Sequence, residues 1–295
     1  MQVGILGGTR FIGYHLVEAL IARGIHVTIF NRGKTREPCR FLAPVKRIIG
    51  DRNRSSSLEP FFSQNFDAVI DLSGYQPHQV EPIARRWWTK VGHYLFCSTT
   101  SVYRQPPPQL FDETTPCMQG MGSYGGDKAA MEEMLLARAH QSNWPVTIFR
   151  PQGVLGPFRA SQPLYVIRRL LSNRPVHLRY GTDGKKANFL SVHDLSRCFI
   201  QAMHDPKTFG QVFNVCCDQA ITSNEFINLL SDMTKTDSLR PVLLNAEICR
   251  EFSEMGLSWP SYDLVPSNQF IKNRLGVRFE PIRETLDKID RKSVV

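Results

Sequence analysis

The sequence predicts an α/β protein: a doubly wound parallel sheet with helices on both faces and a smaller mixed C-terminal lobe. Three observations carry that expectation. The chain opens on an apolar run, Val3 to Leu6, followed at once by Gly7-Gly8-Thr9-Arg10-Phe11-Ile12-Gly13 and by apolar residues at helical spacing from Phe11 to Arg23. That is a strand, a glycine turn and a helix. Short apolar runs then alternate with helical segments, as parallel strands joined by crossover helices require. Past Arg150-Pro151 the alternation loosens, which marks a change of architecture.

The second strand is His26 to Phe30, and a polar, proline-bounded loop from Arg32 to Pro44 leads to the third, Val45 to Ile49, which ends at Gly50-Asp51. Asp67 to Asp71 forms the fourth strand, and a helix runs from Pro77 to Trp88. Tyr94 to Phe96 begins the fifth strand, which ends in Cys97-Ser98-Thr99-Thr100. Gln105 to Gly122 carries Pro106-Pro107-Pro108 and cannot be regular structure. It reads as a loop over the carboxyl ends of the strands, where such sheets bind ligands. Ser123 to His140 is a long helix and Val146 to Phe149 the sixth strand. Phe189 to Val192, the helix Asp194 to His204 and the strand Val212 to Val215 are expected to join the sheet. The expected organisation is a nucleotide-binding domain over 1–155, extended by 187–216, with 156–186 and 217–295 as the substrate lobe. In that lobe Thr222 to Met233, Pro241 to Leu244, Ala246 to Met255 and the tail from Ser267 read as mixed structure.

A chain of 295 residues with 42% hydrophobic content can bury one large core with a smaller one beside it. No apolar run reaches the roughly 18 residues of a membrane helix, and the N-terminus enters the first strand without a basic flank, so a soluble cytoplasmic protein is expected. Seven cysteines, an odd number with no Cys-x-x-Cys pair and an unfavourable Cys216-Cys217 neighbour pair, read as reduced core thiols. His, Cys and carboxylates do not gather at metal-ligand spacing, and no metal is expected. The net charge of +9 favours anions, either a phosphorylated cofactor or substrate or a nucleic acid. The basic residues fall in short groups (Arg52/Arg54, Arg85-Arg86, Arg168-Arg169, Lys185-Lys186), the pattern of solvated surface charge.

A helix that starts from a glycine turn offers N–H groups and a favourable dipole to a pyrophosphate. Gly7 suits the tight turn and Gly13 close packing of helix on strand, with Thr9, Arg10, Phe11 and Ile12 completing the cradle. The motif resembles the glycine signature of the extended short-chain dehydrogenase/reductase superfamily, the NAD(P)-dependent epimerase/dehydratase family, whose nucleotide-binding domain is a Rossmann sheet. Arg10 stands where the middle glycine normally lies. In that respect the septet resembles atypical relatives, among them the chloroplast stem-loop RNA-binding proteins and bacterial epimerase/dehydratase-like proteins.

Tyr124 and Lys128 stand at i and i+4, one helical turn apart. A lysine beside a phenol favours the phenolate, so the pair reads as a proton carrier. Gly125 and Gly126 between them each cost about 1 kcal/mol in a helix relative to alanine, which implies close packing there. The resemblance implies that Tyr124 and Lys128 are the catalytic Tyr-x-x-x-Lys pair and that both touch the cofactor. Phe96 to Tyr103 resembles the family's Ser-Ser-x-x-Val-Tyr context, which makes Thr99 the substrate-polarising hydroxyl with Ser98 beside it. The Thr-Asp-Glu triplet of the sugar dehydratases is absent, which argues against 4,6-dehydration.

After the second strand, NAD-linked members carry an acidic residue; this chain has Asn31-Arg32, then Lys34 and Arg36. Guanidinium groups bind phosphate, so NADP is expected in preference to NAD, with Arg10 and Arg32 on its 2′-phosphate. The resemblance places Asp51 at adenine, and Leu72 and Ser73, in place of the usual Asn/His-Ala-Ala, under the pyrophosphate. Arg150-Pro-Gln-Gly-Val-Leu-Gly-Pro157 resembles the run leading to the substrate lobe and puts Pro151 at the cofactor. Ala187 replaces the arginine that grips a nucleotide-sugar diphosphate, with Lys185 or Lys186 as substitutes. The resemblance covers roughly the first 220 residues.

The expected activity is reversible hydride transfer at a carbinol or carbonyl carbon of a small, phosphorylated or sugar-like substrate. The alternative is a non-catalytic dinucleotide- or RNA-binding protein, for which the charge and Trp87-Trp88 beside Arg85-Arg86 speak. A homodimer through two helices on a sheet face is a further implication of the resemblance.

Overall fold

The alternation in the sequence becomes a seven-stranded, all-parallel sheet in the computed structural model, which describes residues 1–158, 162–179, 181–236, 241–244, 257 and 259–289. In chain order the first half contains β1 (Gln2–Leu6), α1 (Phe11–Ile21), β2 (His26–Asn31), β3 (Lys46–Ile49), α2 (Glu59–Phe62), β4 (Phe66–Asp71), α3 (Pro77–Pro82), β5 (Val91–Cys97), α4 (Tyr124–Ser142) and β6 (Val146–Pro151). The second half contains β7 (Val154–Leu155), α5 (Gln162–Leu171), β8 (His177–Arg179), β9 (Lys186–Asn188), β10 (Leu190–Ser191), α6 (Val192–Ala202), β11 (Gln211–Val215), β12 (Ala220–Thr222), α7 (Ser223–Thr234) and β13 (Val242–Leu244). The sheet order is β11-β6-β5-β4-β1-β2-β3. The order reverses direction between β1 and β4, and at such a switch point the carboxyl ends leave a crevice.

Strand period two sorts the side chains into the two layers. Val3 and Ile5 of β1 pack with Leu16, Leu20 and Phe199 of α1 and α6. Leu6 faces the other way, against Phe61, Phe62 and Tyr94. A third core, around Val166, Ile167, Leu170, Phe226, Leu230 and Trp259, lies in the C-terminal lobe.

Three expectations are corrected. The helix from Pro77 does not continue regularly to Trp88: it ends at Pro82 and winds through a π turn over Ile83–Trp87 and a 3-10 turn over Trp88–Lys90. Pro82 supplies no N–H to the preceding turn, so the α ladder breaks there. Of the segment 187–216, only β11 joins the sheet; β10 pairs with β7, and β9 pairs antiparallel with β12. The strand Phe189 to Val192 shortens because Ser191, accepting the His193 N–H at 3.3 Å, caps α6, which already starts at Val192. The cysteines are not all core thiols, since Cys39 is exposed.

In the lobe, Thr222 and Glu225 form a capping box that starts α7, Pro241 to Leu244 yields β13, and the tail supplies short helices over Gln269–Leu275 and Ile282–Asp287. The segment Ala246 to Met255 lies outside the described residues. Among the described residues no helix is long and apolar enough to cross a membrane.

Candidate functional site

The carboxyl ends of β1 to β4 open on one cleft of 620 Å³. Its base is the glycine turn. Gly7 and Gly8 take φ of +116° and +102°, a region side-chain-bearing residues rarely enter, and a Cβ on Gly13 would fall 2.6 Å from the Gly8 backbone. The helix that follows, α1, has no side-chain cap and no acidic residue in its first turn. The Gly13 N–H turns back to the Arg10 carbonyl at 2.8 Å, and with no carboxylate in the first turn the positive end of the helix dipole favours an anion at its start.

Gly7, Thr9, Arg10, Phe11, Ile12, Gly13, Asn31, Arg32, Asp51, Leu72 and Ser73 all stand on the wall of this one cleft. Pro151 does not; it ends β6, buried and paired with Val215.

At the end of β2 the wall carries Asn31, with Arg32 and Lys34 exposed beyond it and Arg10 exposed opposite. The Asn31 Oδ1 accepts the Gly33 N–H at 2.8 Å, while its Nδ2 is buried without a partner. A cradle that a single Cβ would fill, an uncapped helix start and an orphaned amide donor fit a pyrophosphate-bearing dinucleotide.

The sequence reading missed the most strongly bonded group in this wall. Arg52 forks onto Asp71, NH1 to Oδ1 at 2.7 Å and NH2 to Oδ2 at 2.8 Å, and also donates to Ser73 Oγ at 2.9 Å and the Gln79 carbonyl at 3.0 Å. The Tyr94 hydroxyl donates to the other side of Asp71 at 2.6 Å. Burial alone would raise the Asp71 carboxyl, but the Arg52 charge and these hydrogen bonds hold it below its usual 3.8. The available signal was positional: Asp51-Arg52 follows β3 and Asp71 ends β4, so both stand at the carboxyl ends of strands that are consecutive in the chain. Tyr75, Gln79 and Phe158 are further wall residues the sequence did not announce.

The hydroxyl and lysine group lies beside the cleft, at the end of β5. Ser123 caps α4 by accepting the Gly126 N–H at 3.1 Å, which places Tyr124 at the helix start. The glycine pair now has its reason: a Cβ on Gly125 would lie 2.0 Å from the Ser101 carbonyl oxygen, and one on Gly126 2.2 Å from that of Gly120. Lys128 is buried and donates to the Cys97 carbonyl at 2.7 Å, with its Nζ 4.6 Å from the Phe96 ring centre and 5.5 Å from that of Tyr75. Tyr75 therefore links the cleft wall to the lysine.

Tyr124 is half exposed, with Thr99 close enough to act on its phenol. The expected lowering of its pKa by Lys128 does not occur. Loss of solvent, with Cys97 and Tyr75 adding to it, pushes the phenol up to about 12, opposed only by Thr99. Lys128 itself is lowered, chiefly by burial. Thr99 Oγ1 accepts the Ser101 N–H and donates to Ser101 Oγ, both at 3.2 Å. The Ser98 hydroxyl is buried without a partner.

Elsewhere, Trp87 stacks on Phe62 with centroids 5.0 Å apart, inside the core, so it offers no ring to a nucleobase. Ala187 is buried, and Lys186 beside it is exposed. Among the described residues no cluster of His, Cys, Asp and Glu could hold a metal.

Residues 3–216 match the family described as the NAD dependent epimerase/dehydratase family. The chain is 27% identical over 237 residues to the chloroplast stem-loop binding protein of 41 kDa b of Arabidopsis thaliana, an alignment covering 75% of this chain and 60% of that protein. It is 30% identical over 267 residues to the UDP-N-acetyl-alpha-D-glucosaminuronate decarboxylase of Bacillus cytotoxicus, covering 79% of this chain and 80% of the decarboxylase. In three dimensions it resembles the UDP-glucose 4-epimerase of Thermotoga maritima with a TM-score of 0.83 at 20% identity, over 98% of this chain and 97% of the epimerase.

Proposed function

Because the chain belongs to the NAD dependent epimerase/dehydratase family, we propose that it catalyses reversible hydride transfer at a carbinol or carbonyl carbon of a sugar or nucleotide sugar, with NADP as the preferred dinucleotide. The observation that carries this reading is the junction at Tyr75. There the glycine-floored cleft meets a cluster containing Tyr124, Thr99 and Lys128.

Gly7, Thr9, Phe11, Ile12 and Gly13 form the pyrophosphate cradle, with Leu72 and Ser73 opposite. Arg10 and Arg32 hold the 2′-phosphate, and Asp51 accepts from adenine. The bound dinucleotide supplies nicotinamide C4 as hydride donor and acceptor. Tyr124 exchanges the proton with the substrate oxygen, and Thr99, with Ser98, orients that oxygen. An ammonium has three donors, and Lys128 gives one to the Cys97 carbonyl. The others remain for the ribose hydroxyls. Residues 156–186 and 217–295 act as the substrate lobe, and the names of the UDP-sugar relatives favour a UDP-sugar there.

A second reading, RNA binding, has the charge of +9 and the likeness to a stem-loop binding protein in its favour. The test is a titration with NADPH and NADH side by side, followed by nicotinamide fluorescence, with an RNA hairpin as the third titrant. Selective NADPH binding supports the enzyme; hairpin binding with a steep salt dependence and no dinucleotide binding replaces it. Light scattering on the same sample reads the proposed homodimer.

A further inference from the structure

The wall opposite the glycine turn is polarised by the buried arginine. Ser73 Oγ accepts from Arg52 NH1 at 2.9 Å, and the same guanidinium is locked by its fork on Asp71, itself closed by Tyr94. A hydroxyl that accepts from an arginine, which has no acceptor to offer in return, must send its own hydrogen elsewhere. Among the described residues that hydrogen has no acceptor. Ser73 faces the cradle: its Oγ would lie 3.9 Å from a Cβ placed on Gly7. A second donor in the same wall is also unmatched, since Arg52 Nε is buried without a partner. With both terminal nitrogens committed to Asp71, Nε–H points away from the carboxylate.

We infer that Ser73 is a dedicated hydrogen-bond donor to the pyrophosphate of the dinucleotide, and that Arg52 is the positioning residue which fixes it in the donor state. The inference rests on the dinucleotide reading given above. It adds a division of labour to that reading. Arg10 and Arg32 read what distinguishes NADP from NAD, while Arg52 and Ser73 grip what the two share. The ion pair also explains why an arginine can sit in this wall without acting as a free cation, because its charge is already neutralised by Asp71.

The experiment measures dissociation constants for NADPH and NADH on the wild type and on Ser73→Ala, Ser73→Thr, Arg52→Lys and the Ser73→Ala/Arg52→Lys double variant. Failure of the wild type to bind either dinucleotide overturns the underlying reading, independently of Ser73. With wild-type binding in hand, Ser73→Ala is expected to weaken both dinucleotides by about 10- to 150-fold, the range of a hydrogen bond to a charged group, with their ratio unchanged. Ser73→Thr, which keeps the hydroxyl, recovers most of the loss. Arg52→Lys costs less in the Ser73→Ala background than in the wild type, because the two residues act as a unit. Ser73→Ala binding within twofold of wild type overturns the donor role, and a change in the NADPH/NADH ratio moves it to the 2′-phosphate. Additive losses in the double variant overturn the positioning role of Arg52. Ser73→Ala removes one partly exposed hydroxyl, so the donor test does not depend on whether Arg52→Lys folds.

Discussion

At the dinucleotide end of the cleft the wall is locked by its own hydrogen bonds, with Arg52 forked on the fully buried Asp71 and Tyr94 closing the other side. At the proposed catalytic end Tyr124 stands half exposed and Lys128 is turned to the Cys97 carbonyl, with the phenol raised to about 12. The difference separates binding from chemistry. A grip on an invariant pyrophosphate gains from rigidity before the ligand arrives, since a preorganised site loses little freedom on binding. A proton carrier whose task depends on a substrate oxygen is completed when that oxygen enters, and unliganded catalytic groups are commonly looser than in the complex.

The largest expected effect breaks the catalytic end and spares the other. Tyr124→Phe removes the transferable proton and is expected to lower kcat on an accepted UDP-sugar by roughly 10²- to 10⁴-fold. NADPH affinity stays within about twofold, because phenylalanine keeps the ring and the glycine-floored cradle is untouched. Turnover retained near the wild-type rate removes Tyr124 from the mechanism.

Asp71→Ala does the converse. It strands Arg52 in a buried site and frees the Tyr94 hydroxyl, and breaking a buried pair of this kind costs about 3–5 kcal/mol. Thermal unfolding should fall by on the order of 10 °C, and a shift near zero would mean that the pair is not structural. The same group gives a pH dependence with a fixed sign. Asp71 is held below its usual 3.8, so the folded protein binds fewer protons than the unfolded chain. Its stabilisation is complete above pH 3.8 and is lost as pH falls through the folded value. In Asp71→Asn that acid limb should be shallower in urea titrations across this range.

A smaller effect sharpens the division within the dinucleotide end. Arg32 is exposed, so its removal costs no packing. Arg32→Ala should weaken NADPH about tenfold, or about 1.4 kcal/mol, and leave NADH nearly unchanged. Equal losses for both would place Arg32 at the pyrophosphate instead of the 2′-phosphate.

What was legible in the sequence follows the same divide. The glycine turn, the strand ends Asn31, Asp51 and Leu72-Ser73 and the helix start at Tyr124 are local features, written in consecutive residues. The sheet topology brings the glycine turn and these strand ends to one cleft, with the helix start at Tyr124 beside it. Arg52 and Asp71 stayed unread because their pairing joins the ends of two strands 19 positions apart, and Arg52 in isolation looks like any solvated arginine. The state of Lys128 was misread for a related reason. Spacing at i and i+4 puts two side chains on one helix face, but the direction of an ammonium is set by what else lines the burial site. Here that is the Cys97 carbonyl with the Phe96 and Tyr75 rings.

The last prediction concerns that lysine, and the expected effect is close to zero. If the phenol is raised by lost solvent, Cys97 and Tyr75, with Lys128 contributing nothing in the unliganded protein, then Lys128→Met should leave the Tyr124 titration where it is. The readout is the phenolate difference absorbance between each protein and its Tyr124→Phe counterpart at pH 11, where a group with a pKa of about 12 is only about a tenth ionised. A phenol already lowered by the lysine would be more than about nine-tenths ionised at that pH if its pKa lay below about 10, the ordinary tyrosine value. A large signal in the wild type that vanishes in Lys128→Met would show the catalytic end to be as preset as the dinucleotide end. A small signal in both, growing when NADP is added to the wild type alone, would mean that the lysine reaches its catalytic position only with the dinucleotide in place.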